Sequence, residues 1–382
     1  MSRHLRSSAA EEQQDASTAS SFEDATQEHS RCIRPNKRKI EDSDNDADLT
    51  IIEQDATGPP NKRNRTEYTK HERFWFLDGN ILLQLGDTRF QLYRGRLASQ
   101  SPWLKALFEQ HAGGEPEVNE DAPALETVTV KEEDGGEDGI VVYLDSTDVA
   151  LEDFLELLTA MEDTLEYCSK KQPFPVHAAV FRAASSLRFD KFAEHAKKAM
   201  TGPPHGFPED LASLTEVGRY YTVDAILLGR SWNVPEILKR AFYELARLPD
   251  SEDRRIPNPA LDPPESGIDA LDPIDLALLL NAQKKLAQAW TKVLLLHDLP
   301  RYKKCGDANC EASTTKYLYR AVHESGIGEE YALDPLCGLQ ALFNAKWVNS
   351  YHHCQTCAKR RKSELAEKRK ELWASLDGWL DI

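Results

Sequence analysis

Four cysteines toward the C-terminal end are spaced for metal chemistry: Cys305-x4-Cys310 and Cys354-x2-Cys357. Each pair can present two thiolates to one ion across a tight turn, and two such pairs make a tetrahedral, all-thiolate site of the kind that holds a structural Zn2+. Lys303 and Lys304 stand beside Cys305 and favour the thiolate form. His352 and His353 are substitute ligands should one cysteine not be used. Ligation by one ion requires the sulfurs to converge to within about 4 Å of one another, because each must lie about 2.3 Å from the metal. The alternative is four reduced thiols in a helical region. The seven cysteines are an odd number, and the first residues carry no apolar signal segment, so a disulfide framework is not expected. Cys337, beside Pro335 and Leu336, reads as a small buried hydrophobe, while Cys32 and Cys168 lie away from both pairs.

All four positions of such a site would be filled by protein, which suits a structural metal and not a catalytic one. No H-x-E precedes a P-C-x-x-C as a zinc deaminase requires, and neither H-E-x-x-H nor a phosphate-binding G-x-x-x-x-G-K-[ST] occurs. Ser185, Ser186, Ser99 and Ser101 lack a G-x-S-x-G setting. His177 and His195 fall on predicted helices and read as structural or surface groups. No nucleophile–base pair or open metal site is visible, so an enzyme is not expected.

The formal net charge is −17, which disfavours nucleic acid and anionic lipid as partners unless basic residues are segregated. The segregated candidate is the tail, Lys359-Arg360-Arg361-Lys362 followed by Lys368-Arg369-Lys370. Leu365, Leu372, Trp373 and Leu376 recur there at helical spacing. Docking of this helix on the preceding domain is preferred over nucleic-acid contact. No run of 18 apolar residues exists, so no membrane span is expected. The clusters Lys37-Arg38-Lys39 and Lys62-Arg63 could be read by nuclear import receptors, which gives nucleus or cytoplasm as the expected location.

These residues must be positioned by the elements around them. Residues 1–73 are polar and low in large apolar side chains, and read as a disordered tail. Residues 80–86 and 88–93 then predict a hairpin with one face inward. Ser101 can cap a helix that Pro102 opens, with Trp103, Leu104, Leu107 and Phe108 facing a core. Residues 111–139, rich in glycine and carboxylates, read as a long acidic loop. A third strand at 140–144 and a helix from Leu151, capped by Asp148 or Asp145, follow. Two helix pairs come next: Ala184, Phe189, Phe192 and Ala196 repeat at a shift of 45 residues as Gly229, Val234, Ile237 and Ala241. Proline-rich linkers at 203–208 and 249–264 set the boundaries. A further helix runs from Asp275 to about Trp290.

The stretch Asp78-Gly79-Asn80-Ile81, Phe90-Gln91-Leu92-Tyr93-Arg94 and Leu97-Ala98-Ser99-Gln100-Ser101-Pro102 resembles the opening of a BTB/POZ domain. Residues 233–246, Asp334-Pro335-Leu336 and Cys354-x2-Cys357 extend the resemblance to the expanded BTB family of mushroom-forming (basidiomycete) fungi, over roughly residues 74–380. It implies an α+β fold: a BTB/POZ-type small sheet with surrounding helices at 74–200, interrupted by the acidic insert 111–139, then a helical, BACK-like region at 207–300 and a cysteine-containing helical region at 301–382. It implies protein as the partner, through a BTB homodimer or heterodimer. A cullin ubiquitin-ligase adaptor and a DNA-associated transcription regulator are the alternatives. Two features depart from the family pattern: Tyr93 stands where many members have histidine, and the insert falls where cullin adaptors carry a short apolar-x-Glu motif, of which Leu107-Phe108-Glu109 is the nearest match.

Overall fold

The computed structural model describes residues 68–111, 129–132, 140–216, 218–247, 266–297, 302, 305–312 and 314–382. They belong to one compact unit spanning 65–382, of mixed α+β architecture with helix predominating. The greater part of the predicted tail 1–73 and of the acidic insert 111–139 lies outside the described residues.

The first element is β1 (Thr69–Trp75), which starts five residues before the predicted onset of order. Next come β2 (Ile81–Leu85) and β3 (Thr88–Leu92), joined by a tight turn in which Gly86 adopts φ +57. Helices α1 (Arg94–Gln100) and α2 (Pro102–His111) follow. A strand not expected from the sequence, β4 (Thr129–Glu132), lies within the stretch read as a loop and pairs antiparallel with β5 (Ile140–Tyr143). Among the described residues the sheet order is β1-β3-β2-β5-β4. β2 and β3 form the predicted antiparallel hairpin, and β5 adds parallel to β2. Alternation sends Ile81, Leu83, Leu85, Phe90, Leu92 and Val142 to the core.

That core is closed by α3 (Leu151–Glu162), whose Phe154 meets Phe90 edge-on at 5.2 Å. Neither predicted aspartate caps α3: Ala150 takes the cap position, and Asp145 is instead drawn 2.6 Å from the Gly86 amide, tying β5's end to the hairpin. A short α4 (Thr164–Ser169) leads to α5 (Phe174–Ser186) and α6 (Asp190–Met200). Arg182 of α5 forms a bidentate pair with Asp153 of α3, both bonds 2.6 Å. The Leu-Ala-x-x-Ser-Pro sequence has a specific role here. The Ser101 hydroxyl accepts from the Leu104 amide at 3.0 Å, capping α2, and donates to the Leu187 carbonyl at 2.6 Å, binding the end of α5 to the start of α2.

The repeated helix pairs are α5–α6 and α7–α8, the latter at Thr222–Ser231 and Pro235–Ala246. Their turns match at the backbone. Arg188 and Asn233, 45 residues apart, both take left-handed φ, 56 and 52. The next amide in each returns to the carbonyl five residues back, Phe189 to Ala184 at 2.8 Å and Val234 to Gly229 at 3.0 Å. A Cβ on Gly229 would lie 2.5 Å from a Leu238 methyl carbon, so glycine is what allows α7 and α8 to approach.

The C-terminal part comprises α9 (Pro273–Leu294), α10 (Thr315–Tyr319), α11 (Ile327–Glu330), α12 (Pro335–Asn344) and α13 (Gln355–Leu380). Apolar residues from the sheet through α13 belong to one continuous core.

Replacing Ser101 with Ala should remove a cap and leave the buried Leu187 carbonyl without its donor. A loss of about 2–3 kcal/mol is expected in denaturant unfolding. A loss below about 0.5 kcal/mol would contradict the dual role.

Candidate metal centre and the buried charges around it

Cys354 occupies the N-cap position of α13 and Cys357 lies in its first turn. His352 takes left-handed φ 52 and bends the incoming chain so that both thiols reach one side. The helix N-terminus favours negative charge there. The other arm is a turn: the Asp307 carboxylate accepts from the Asn309 amide at 2.9 Å, and the Asp307 carbonyl accepts from the Cys310 amide at 3.2 Å. Two bonds stitch the arms together. The Glu311 amide donates to the His352 carbonyl at 2.9 Å, and the Cys354 amide donates to the Cys310 sulfur at 3.3 Å.

The four sulfurs of Cys305, Cys310, Cys354 and Cys357 all lie within 4.8 Å of one another, and those of Cys305 and Cys354 are 3.9 Å apart. A tetrahedron of sulfurs about 2.3 Å from one ion has edges of about 3.8 Å. The closer pair fits this, and the widest separation exceeds it by about 1 Å. The four predicted ligands are thus brought together and could hold a metal ion. Their donor set is all sulfur, which suits a soft or borderline cation in a closed site. Burial pushes the Cys310 thiol up, but the Cys354 and Ala312 backbone and the neighbouring thiols bring it to about 7. Burial and hydrogen bonding with Cys354 and Cys310 push the Cys357 thiol up to about 12. A metal must therefore displace protons, and its affinity falls as pH falls.

Neither substitute ligand joins this group. His352 is exposed against the Tyr317 ring. His353 is buried, with Nδ1 2.8 Å from the Tyr351 carbonyl and its ring on Trp347. Cys168 is exposed, and Cys32 lies outside the described residues. Apolar cover at the centre is thin: Tyr302, Ala312 and Cys357 form a small cluster separate from the main core, with the other three cysteines packed against it.

The basic tail docks as expected. Cys357, Ala358, Arg361, Leu365, Arg369, Leu372, Trp373, Leu376 and Leu380 make one buried face of α13. Its consequence for charge was not expected, since Arg361 and Arg369 are buried with that face. Arg369 donates to the Leu336 carbonyl at 3.0 Å.

A second charged constellation escaped sequence reasoning. Glu244, on α8, is 0% exposed. Its carboxylate accepts from Arg240 at 2.6 Å and from Arg247 at 2.6 and 2.9 Å. Arg247 also reaches Asp334 at 2.6 Å, and Asp334 in turn accepts from Tyr243 at 2.5 Å and caps α12 through the Cys337 amide at 3.1 Å. The Cys337 sulfur lies 3.5 Å from Arg247, so this cysteine borders an ionic network and is not simply the apolar filler expected. Burial and then Asp334 push its thiol up to about 12, which keeps it protonated. Only the i,i+3 and i,i+4 spacing of Glu244 with Arg247 and Arg240 was visible in sequence, and it also describes a solvated helix face. Of the predicted structural histidines, His177 is buried and its Nδ1 lies 3.0 Å from the Tyr167 hydroxyl. Burial, then His195 and His205, bring it down to about 4, so it is neutral near pH 7.

Compared with protein-family models, with curated proteins and with solved structures, the chain matches none of them.

Replacing Glu244 with Ala should leave Arg240 and Arg247 buried without their shared anion. Removing one partner of a buried pair costs about 3–5 kcal/mol. Urea unfolding of the variant should show a loss in that range. A loss under about 1 kcal/mol would mean that water reaches and solvates the network.

Proposed function

We propose that this chain is a non-catalytic protein-interaction scaffold that dimerises through a BTB/POZ-type module at 74–200 and whose C-terminal segment is held by a structural zinc ion on Cys305, Cys310, Cys354 and Cys357. The observation that carries the first part is the order of elements. The β2–β3 hairpin leads through the Ser101-Pro102 junction of α1 and α2 to β5, which lies parallel to β2, and then to α3 and the α5–α6 pair. This is the order that the resemblance implies. The support for zinc is the convergence of four thiols with little apolar cover to hold them otherwise.

The interaction face is inferred at the start of the module. Leu77 is 94% exposed. It follows the strand that edges the sheet, next to Phe76, which lines a small pocket over the core together with Tyr93, Arg96 and Glu162. An apolar side chain so placed loses about 1.5–3 kcal/mol of burial unless a partner covers it. Two alternatives fare less well. Leu107 and Phe108 face the core, leaving only Glu109 of that tripeptide exposed, so it offers little to a cullin. Burial of Arg361 and Arg369 weakens the tail as a nucleic-acid surface. Among the described residues no helix is long and apolar enough to cross a membrane. Nucleus or cytoplasm remains the expected location.

Light scattering on the full chain should give twice the chain mass at tens of micromolar, and Leu77→Asp should shift it toward the single-chain mass. Metal analysis of the same preparation should give one zinc per chain. A single-chain mass for the unaltered protein would overturn homodimerisation. Absence of zinc would overturn the metal assignment separately.

A further inference from the structure

A centre of four thiolates and one divalent ion carries a net charge of −2, and a nearby cation that is itself shielded from water offsets part of it. Backbone amides already contact the Cys310 sulfur, from Cys354 and from Ala312. A buried cation lies one turn further along α13. Arg361 is 1% exposed, whereas its neighbours Lys359 and Arg360 are exposed. It stands four residues after Cys357 and seven after Cys354, which places it on the same helix face, about 6 Å along the axis from Cys357. Its guanidinium stacks 4.3 Å from the ring of Tyr302, a member of the small cluster that packs the cysteines, and 5.8 Å from that of Trp347.

The hydrogen bonding of this guanidinium is incomplete. Among the described residues its Nε and Nη1 have no hydrogen-bond partner. Glu364 approaches only to 3.7 Å and is already engaged by the Tyr302 hydroxyl and by Arg360 at 3.0 Å. A buried guanidinium with two unmet donors is costly unless an anion lies close. Burial pushes the Arg361 guanidinium below its usual range, and Tyr302, Glu364 and Cys357 act in the opposite direction. We infer that Arg361 is a positioning residue for the metal centre, supplying from one turn down α13 a buried positive charge that offsets the negative charge of a four-thiolate zinc site. This inference rests on the zinc reading above. The basic run 359–362 therefore divides, with Arg361 buried and Lys359 and Arg360 exposed.

Zinc affinity of the full-length protein, measured by competition with a chromophoric chelator, tests this. Arg361→Met keeps the bulk stacked on Tyr302 and Trp347 and removes the charge, so affinity should fall by about 10- to 100-fold. Arg361→Lys keeps the charge and should recover most of that loss. Glu364→Gln removes the carboxylate that competes for Arg361 and should tighten zinc binding, by roughly two- to five-fold. A packing role alone predicts unchanged affinity in Arg361→Met, and that result overturns the inference while leaving the zinc reading intact. Should Arg361→Met not fold, Glu364→Gln decides: unchanged or weaker binding overturns the inference. A wild-type chain that binds no zinc overturns both readings together.

Discussion

Four sulfur atoms lie within 4.8 Å of one another, and the last third of the chain is built on the two arms that bring them there. The sulfurs come from two arms separated by more than forty residues. Among the described residues the arm around Cys305 and Cys310 has Tyr302 and Ala312 as its buried apolar anchors. Hydrophobic burial of two residues yields about 2–4 kcal/mol, too little to order a loop of this length alone. A metal shared with Cys354 and Cys357 would fix that arm and, in the same step, fix the first turn of α13. Metal-binding free energy would then become folding free energy for this segment.

From that end, α13 packs along α12 and α9 and reaches α8 of the second helix pair. Its middle is bound by Arg369 to the α12 carbonyl of Leu336, and α12 is bound by Asp334 to Arg247 and Tyr243 of the second helix pair. Trp373 meets Tyr243 edge-on at 5.8 Å, and Lys239 pairs with Asp377 at 2.7 Å. Burying Glu244 with Arg240 and Arg247 adds little net stability compared with an apolar core of equal volume, but it punishes any arrangement in which the partners are separated. The network therefore selects one register of α8 against α12 and α13. The ionic network thus ties α8, α12 and α13 to one another in the middle of the C-terminal helices.

Much of this was legible because it is local. Period-two alternation marked β2 and β3, Ser101-Pro102 marked the start of α2, and the 45-residue echo marked two helix pairs whose turns proved to share the same left-handed residue and return hydrogen bond. Cysteine spacing found the candidate centre because two thiols on a tight turn leave a sequence signature. What escaped depends on distant partners. β1 has the polar sequence of an edge strand, and it is recruited by β3 in parallel. β4 lies in an acidic stretch and is held by pairing with β5 and by Val130 against the core. Asp145 had the right chemistry for a cap, but the Gly86 amide, 59 residues away, claimed it. The Arg247–Asp334 pair spans 87 residues, and the burial of Arg361 within a basic run has no local cue.

A metal in the cysteine centre would hold the first turns of α13 in place. Native-state hydrogen exchange of the full chain, before and after zinc removal by a chelator, measures this residue range by residue range. Amides of 305–312 and of the first turns of α13 should lose protection on chelation, while those of β2, β3 and β5 keep theirs, and added zinc should restore the original pattern. Unchanged protection throughout 305–380 after complete metal removal would contradict the account.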